Sequence, residues 1–220
     1  MSVKSSEKAN TGSRSRIVPL TAGLVVAGLV IGYLAWPRSN PLAKGVRNDL
    51  AAGRYDRADN DLANWLRTDP DSTEAIYLKG RVAVAKDELP EAVASLNKLR
   101  DSGHDRAEIQ VLQALIAAKA GRHNEAIPIL KQAYLIARGP DLQISEALAK
   151  GYLETFDLTS AAAVLDRWAA DFPDDPKPHL WKTEIHSRDA SDSGILERDY
   201  REALKRDPNL AKARLGLADE

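Results

Sequence analysis

The apolar positions of this chain form one long unbroken run near its start and, beyond it, short helical stripes that recur at a fixed interval. From Gly121 to Tyr134 the order is Gly-Arg-His-Asn-Glu-Ala-Ile-Pro-Ile-Leu-Lys-Gln-Ala-Tyr, and Ala126 marks the register. Its equivalents Ala58, Ala92, Ala161 and Leu196 follow at intervals of 34 or 35 residues. Four residues after each marker stand Leu62, Leu96, Leu130, Leu165 and Tyr200, and seven after stand Trp65, Leu99, Ala133, Trp168 and Ala203. Pro70, Pro173 and Pro208 lie twelve after the first, fourth and fifth markers.

An interval of this length is the signature of stacked supersecondary units. Each copy holds two apolar helical patterns with a break near Gly53, Asp87, Gly121 or Phe156. The pattern predicts an all-α array of five helical pairs and a half unit, with helices of about three turns. Helices this short are marginal alone, so burial between neighbours must stabilise them. The small residues in the marker column predict close helix approach. Pro90 and Pro128 fall early in their helices, where a missing N–H is tolerated, although Pro128 is late enough to permit a small kink.

On these columns the chain resembles the tetratricopeptide repeat family, whose unit carries small residues at its eighth and twentieth positions and a proline near its end. The eighth position here reads Val46, Gly80, Ala114, Ala149 and Glu184. The resemblance covers roughly residues 39 to 220 and implies a helix-turn-helix solenoid that serves as a binding scaffold. The fifth unit is the least regular, with a polar turn expected from Ser187 to Gly194. The run Leu210 to Ala218 repeats the start of a further unit. It is either the cap a solenoid needs or part of a longer protein, and the apolar Leu215 and Leu217 favour the latter.

Ahead of the array the picture changes. Residues 1–16 are polar and basic, with Lys4, Lys8, Arg14 and Arg16, and read as a disordered tail. Residues 17–36 carry no charge and match the about 20 residues that cross hydrocarbon as a helix. Tyr33 and Trp36 stand at the far end, where amphipathic aromatics favour the interface. A cleaved signal peptide has a similar outline, but this run is too long and no small-x-small site follows, so an uncleaved anchor is expected. Basic residues before the run favour a cytoplasmic N-terminus, opposed in part by Arg38, Lys44 and Arg47 after it. That orientation puts the repeats in the periplasm of a bacterial inner membrane. Gly28 and Gly32 form a Gly-xxx-Gly pair, a face on which two spans can dimerise. Residues 37–41, with two prolines, read as a short linker that keeps the array near the membrane.

Composition removes whole classes of chemistry. With 31 basic and 32 acidic residues nothing in the overall balance points to nucleic acid. The absence of cysteine excludes disulfides, thiolate metal sites and a cysteine nucleophile. His179 and His186 lack a third ligand at metal spacing, His123 reads as a packing residue, and no phosphate loop, nucleophile elbow or zinc-helix pattern occurs. Asp69, Asp71, Asp174 and Asp175 sit at helix junctions, where carboxylates cap. No catalysis, metal or cofactor is expected. Trp65 and Trp168 read as packing between helices.

The family resemblance implies a concave face lined by the first helix of each unit. Its ninth-position column is Arg47, Arg81, Leu115, Lys150 and Ile185, and its fifth is Ala43, Tyr77, Val111, Glu146 and Trp181. Arg47, Tyr77, Arg81, Val111, Leu115, Lys150 and Trp181 are therefore the candidate peptide-binding residues, with apolar anchors and basic heads for carboxylates. Family members that clamp a partner's C-terminal carboxylate use Lys and Asn, then Lys and Arg, where this chain has Ala43, Arg47, Glu108 and Leu112, so that clamp is not expected. The layout resembles bacterial envelope proteins that act in assembly or quality control of exported proteins. An organelle import receptor and the regulatory front of a longer enzyme are the alternatives.

Overall fold

Small and apolar residues at helical spacing, broken about every 17 residues by a turn, fold here as an unbroken succession of short helices. The computed structural model describes residues 41–137, 139–189 and 193–219. Among them run α1 (Pro41–Ala51), α2 (Tyr55–Thr68), α3 (Thr73–Ala85), α4 (Leu89–Arg100), α5 (Arg106–Lys119) and α6 (His123–Ile136). They continue as α7 (Leu142–Glu154), α8 (Leu158–Asp171), α9 (Lys177–Asp189), α10 (Ser193–Arg206) and α11 (Ala211–Asp219). This is the predicted series of five pairs and a half unit. The tail, the apolar run 17–36 and its Gly28 and Gly32 lie outside the described residues. Among the described residues no helix is long and apolar enough to cross a membrane.

Two boundaries differ from expectation. Pro41 opens α1 rather than ending a linker, as the fixed φ of proline suits a helix start. The polar Ser187–Gly194 stretch is largely helical, since α9 continues to Asp189 and α10 begins at Ser193. Of the expected caps, Asp175 accepts from the Lys177 N–H at 3.0 Å. Ser72 rather than Asp69 or Asp71 caps α3, while Asp105, Asp141 and Asp157 cap α5, α7 and α8.

The periodic columns are the core. Ala58, Ala92, Ala126 and Ala161 are each 1% exposed or less, and Leu62, Leu99, Leu130 and Leu165 are fully buried. Each such leucine contributes about 2 kcal/mol by leaving water. A Cβ added at Gly80 would sit 2.8 Å from Leu112 Cδ2 and 3.0 Å from Ser95 Cβ, so α3 approaches its neighbours at backbone distance there. One continuous cluster runs through α1 to α8, and a smaller one of Leu180, Ala203 and Ala213 holds α9 to α11. Trp181 packs against both.

The first helices contact one another along the array, α1 with α3, α3 with α5 and α5 with α7, and α1 reaches α7 as well. The array is thus coiled tightly enough for units two and three apart to touch on its inner side. Arg81 spans this inner side: its Nε donates to Gln143 Oε1 at 2.9 Å and a terminal nitrogen donates to Asp141 Oδ1 at 2.9 Å. Gln143 returns a bond to the Arg81 carbonyl at 2.9 Å. Burial opposes the charge of this guanidinium, but Asp141 beside it outweighs that effect and holds its pKa above the ordinary value. Further along, Arg47 donates to Glu74 at 3.0 Å and to Glu108 at 2.7 Å, joining the first three units.

Four of the turns inside pairs share one conformation, with Gly53, Asp87, Gly121 and Phe156 at φ of 73°, 64°, 77° and 62°. Only glycine adopts this left-handed geometry without strain. Exchanging the residue should therefore move stability in opposite directions at two of these turns. Phe156→Gly is expected to stabilise, and Gly121→Ala, where a Cβ meets nothing within 4 Å, to destabilise, each by about 1 kcal/mol. Urea unfolding followed by circular dichroism measures both, and shifts of the same sign would contradict the turn assignment. Arg81→Met, which strands Asp141 and Gln143, is expected to cost about 3 kcal/mol in the same assay. A loss below about 1 kcal/mol would mean that the bridge does not hold the coil.

Candidate functional site on the inner face

The residues expected to line a groove divide into two groups. Arg47, Tyr77, Arg81 and Val111 sit where the groove is filled by the chain's own side chains. Arg81 is 6% exposed and Tyr77 is buried, with Arg47 placed 5.7 Å over the Tyr77 ring and His104 stacked 5.3 Å from it. His104, in the loop before α5, also meets Thr73 Oγ1 at 3.2 Å and Glu108 Oε2 at 2.8 Å. Val111 packs against the main core. The expectation that Arg47 and Arg81 offer free basic heads to a partner's carboxylates is corrected here, because Glu74, Glu108 and Asp141 already hold them. The physical reason is the coil itself, which brings acidic residues of later units within reach.

Leu115, Lys150 and Trp181 come together. They line a pocket of about 300 Å³ whose walls are mainly the first helices α5, α7 and α9, joined by Val84 and Ala85 of α3, Tyr55 of α2 and His123 of α6. Its apolar wall is Leu115, Ala118, Ala147 and Trp181, and its polar rim is Asp87, Lys119, Glu146, Lys150 and Lys177. Toward the start of the chain it ends at Tyr55 and Gln143, beside the Arg81 bridge. The pocket thus reaches from the Arg81 bridge, where Val84 and Ala85 line it, to Trp181 of the fifth unit.

Charge on the rim is mostly neutralised. Lys119 pairs with Asp87 at 2.6 Å. Lys177 reaches both oxygens of Glu146, at 3.0 and 3.1 Å. Lys150 is exposed, one turn from Glu146, and has no ion-pair partner among the described residues. Burial pushes the Tyr55 phenol above its ordinary pKa, and the nearby Glu146 adds to the effect, so the hydroxyl stays protonated and can donate. Trp181 is fixed edge-on against Trp168 with centroids 5.3 Å apart, and the Trp168 indole N–H is spent on Asp175 at 3.0 Å.

Tyr55, Lys119 and Lys177 escape a reading confined to the groove columns, because Tyr55 opens a second helix and the lysines stand at helix ends. The opposite charges of Glu146 and Lys177, one unit apart, are the signal that could have found that pair. Trp65 and Trp168 are buried between helices as expected. His123 packs on α7, its Nδ1 3.8 Å from where a Cβ of Gly151 would lie. His186 pairs with Asp199 at 2.6 Å. No group of three potential metal ligands occurs among the described residues.

The arrangement of paired helices around an inner face has counterparts. YrrB, described as a tetratricopeptide repeat protein with an unusual peptide-binding site, superposes with a TM-score of 0.52 at 15% identity, over 86% of this chain and 96% of that one. PilW, a type IV pilus biogenesis factor, superposes with a TM-score of 0.54 at 17% identity, over 82% and 89%. A tetratricopeptide repeat protein from Parabacteroides merdae does so with 0.53 at 16%, over 90% and 78%. At these identities the likeness is one of fold. No curated protein matches the chain. The tetratricopeptide repeat model matches residues 49–116 and 117–184, more than half of the sequence, and the chain belongs to the tetratricopeptide repeat family.

Proposed function

We propose that this chain is a membrane-anchored, non-catalytic scaffold that holds a segment of a partner protein on the inner face of its repeats. The observation that carries the reading is the pocket in which Leu115, Lys150 and Trp181 meet. It is concave, apolar on one wall and polar at its rim, which is the usual composition of a recognition site. YrrB, with its peptide-binding site on the same fold, supports a polypeptide as the ligand.

The anchor is the uncharged run 17–36, and the basic residues before it favour a cytoplasmic N-terminus with the repeats on the opposite side of a bacterial inner membrane. PilW, a pilus biogenesis factor of this fold, supports a role in assembling envelope proteins. Gly28 and Gly32 would pair two such anchors side by side.

Placing a photoreactive residue at Lys119 on the pocket rim, in intact membranes, is expected to crosslink one reproducible protein that the same residue at Lys98 on α4 does not. Capture from Lys98 alone would move the partner to the outer helices and sink the site. For the anchor, Gly28→Ile with Gly32→Ile is expected to abolish dimer crosslinking in membranes. A dimer that survives would place association elsewhere.

A further inference from the structure

Resting on that reading of the inner face, we propose that the pocket selects an acidic side chain next to a bulky apolar one, presented by a non-helical segment of another protein. Charge complementarity gives the first half. The rim carries three lysines and two carboxylates, and both carboxylates are taken, Asp87 by Lys119 and Glu146 by Lys177. Lys150 is left over among the described residues, because Lys177 competes for the carboxylate one turn before it. An ammonium at the mouth of a part-apolar pocket gains more from a carboxylate than one in open solvent, since less water screens the pair. Tyr55 adds an uncharged donor on the same wall, with no hydrogen-bond partner of its own among the described residues.

The shape gives the second half. About 300 Å³ is at the low end for a ligand site, enough for one large apolar side chain and its acidic neighbour and too small for a helix. Ala147 and Trp181 supply the apolar seat over a floor of the buried Leu115 and Ala118, and Trp181 is held in place by its edge-on contact with Trp168. The chain's own residues 1–16 are a poor occupant: their four basic residues against Glu7 repel the unpaired lysine.

The test uses the full chain in detergent and fluorescent twelve-residue peptides of Gly and Ser carrying a central Phe-Glu, Phe-Gln, Phe-Lys or Ala-Glu pair. Anisotropy is expected to rank Phe-Glu about threefold above Phe-Gln, with Phe-Lys and Ala-Glu weaker still. The Phe-Glu preference should shrink as salt is raised. Lys150→Gln should remove the preference and Lys150→Glu should reverse it toward Phe-Lys, while Lys98→Glu on the outer surface leaves the ranking intact. Circular dichroism confirms that each variant is folded. Equal binding of Phe-Glu and Phe-Gln, or a ranking untouched by Lys150→Glu, would overturn the proposal and leave the inner-face reading standing. Failure of every peptide to bind, while the Lys119 crosslink is also absent, would remove both.

Discussion

Helices of this chain meet at positions where there is no room for a larger side chain, and the rest of the structure depends on that close approach. Ala58, Ala92, Ala126 and Ala161 are sealed between helices, and at Gly80 even a methyl group would collide with Leu112 and Ser95. Because the backbones come so near, the leucines at the following turns interlock into one cluster from α1 to α8 rather than a row of separate cores. Helices of three turns have little stability of their own, so this shared burial is what makes the array a rigid surface. A rigid surface loses less entropy on binding, which suits a scaffold.

The same tightness decides where a partner could enter. Coiling brings α7 against α1 and α3, and the inner face of the early units is then occupied by Arg81 with Asp141 and Gln143, and by Arg47 with Glu74 and Glu108. A buried guanidinium is tolerable only with its partners in place, since an unpaired charge in that setting is far costlier than the pair. These bridges therefore act as fixed parts of the wall. The open stretch is the pocket walled mainly by α5, α7 and α9 and closed off by Tyr55, Val84 and Ala85, bounded on one side by the bridge and on the other by Trp181.

Trp181 has two jobs that coincide. It lines the pocket, and it is the side chain on which the main core and the smaller core of α9 to α11 both pack. Any ligand that seats against its ring bears on the joint between the two clusters. The polar contacts across the same joint, Lys177 with Glu146, Lys182 with Asp166 and Arg206 with the Pro173 carbonyl, each keep at least one partner at the surface, where such contacts are weak. The apolar contact thus dominates the coupling of the last units to the rest.

The sequence by itself determined the helical pairs, their number, the buried columns and the turns at Gly53, Asp87, Gly121 and Phe156, because all of these follow from local periodicity and from which residues fit between close helices. It also brought forward Leu115, Lys150 and Trp181, since their register within a unit is a local property. It did not disclose that Tyr77 and Arg81 are enclosed or that Arg47 is already paired. Their partners Glu108, Asp141 and Gln143 lie about 60 residues away, and whether such residues meet depends on the pitch of the coil. Pitch is the sum of small rotations at every helix contact. Periodicity fixes which faces touch but not the angle at which they do, so the tertiary structure alone decided where the groove stays open.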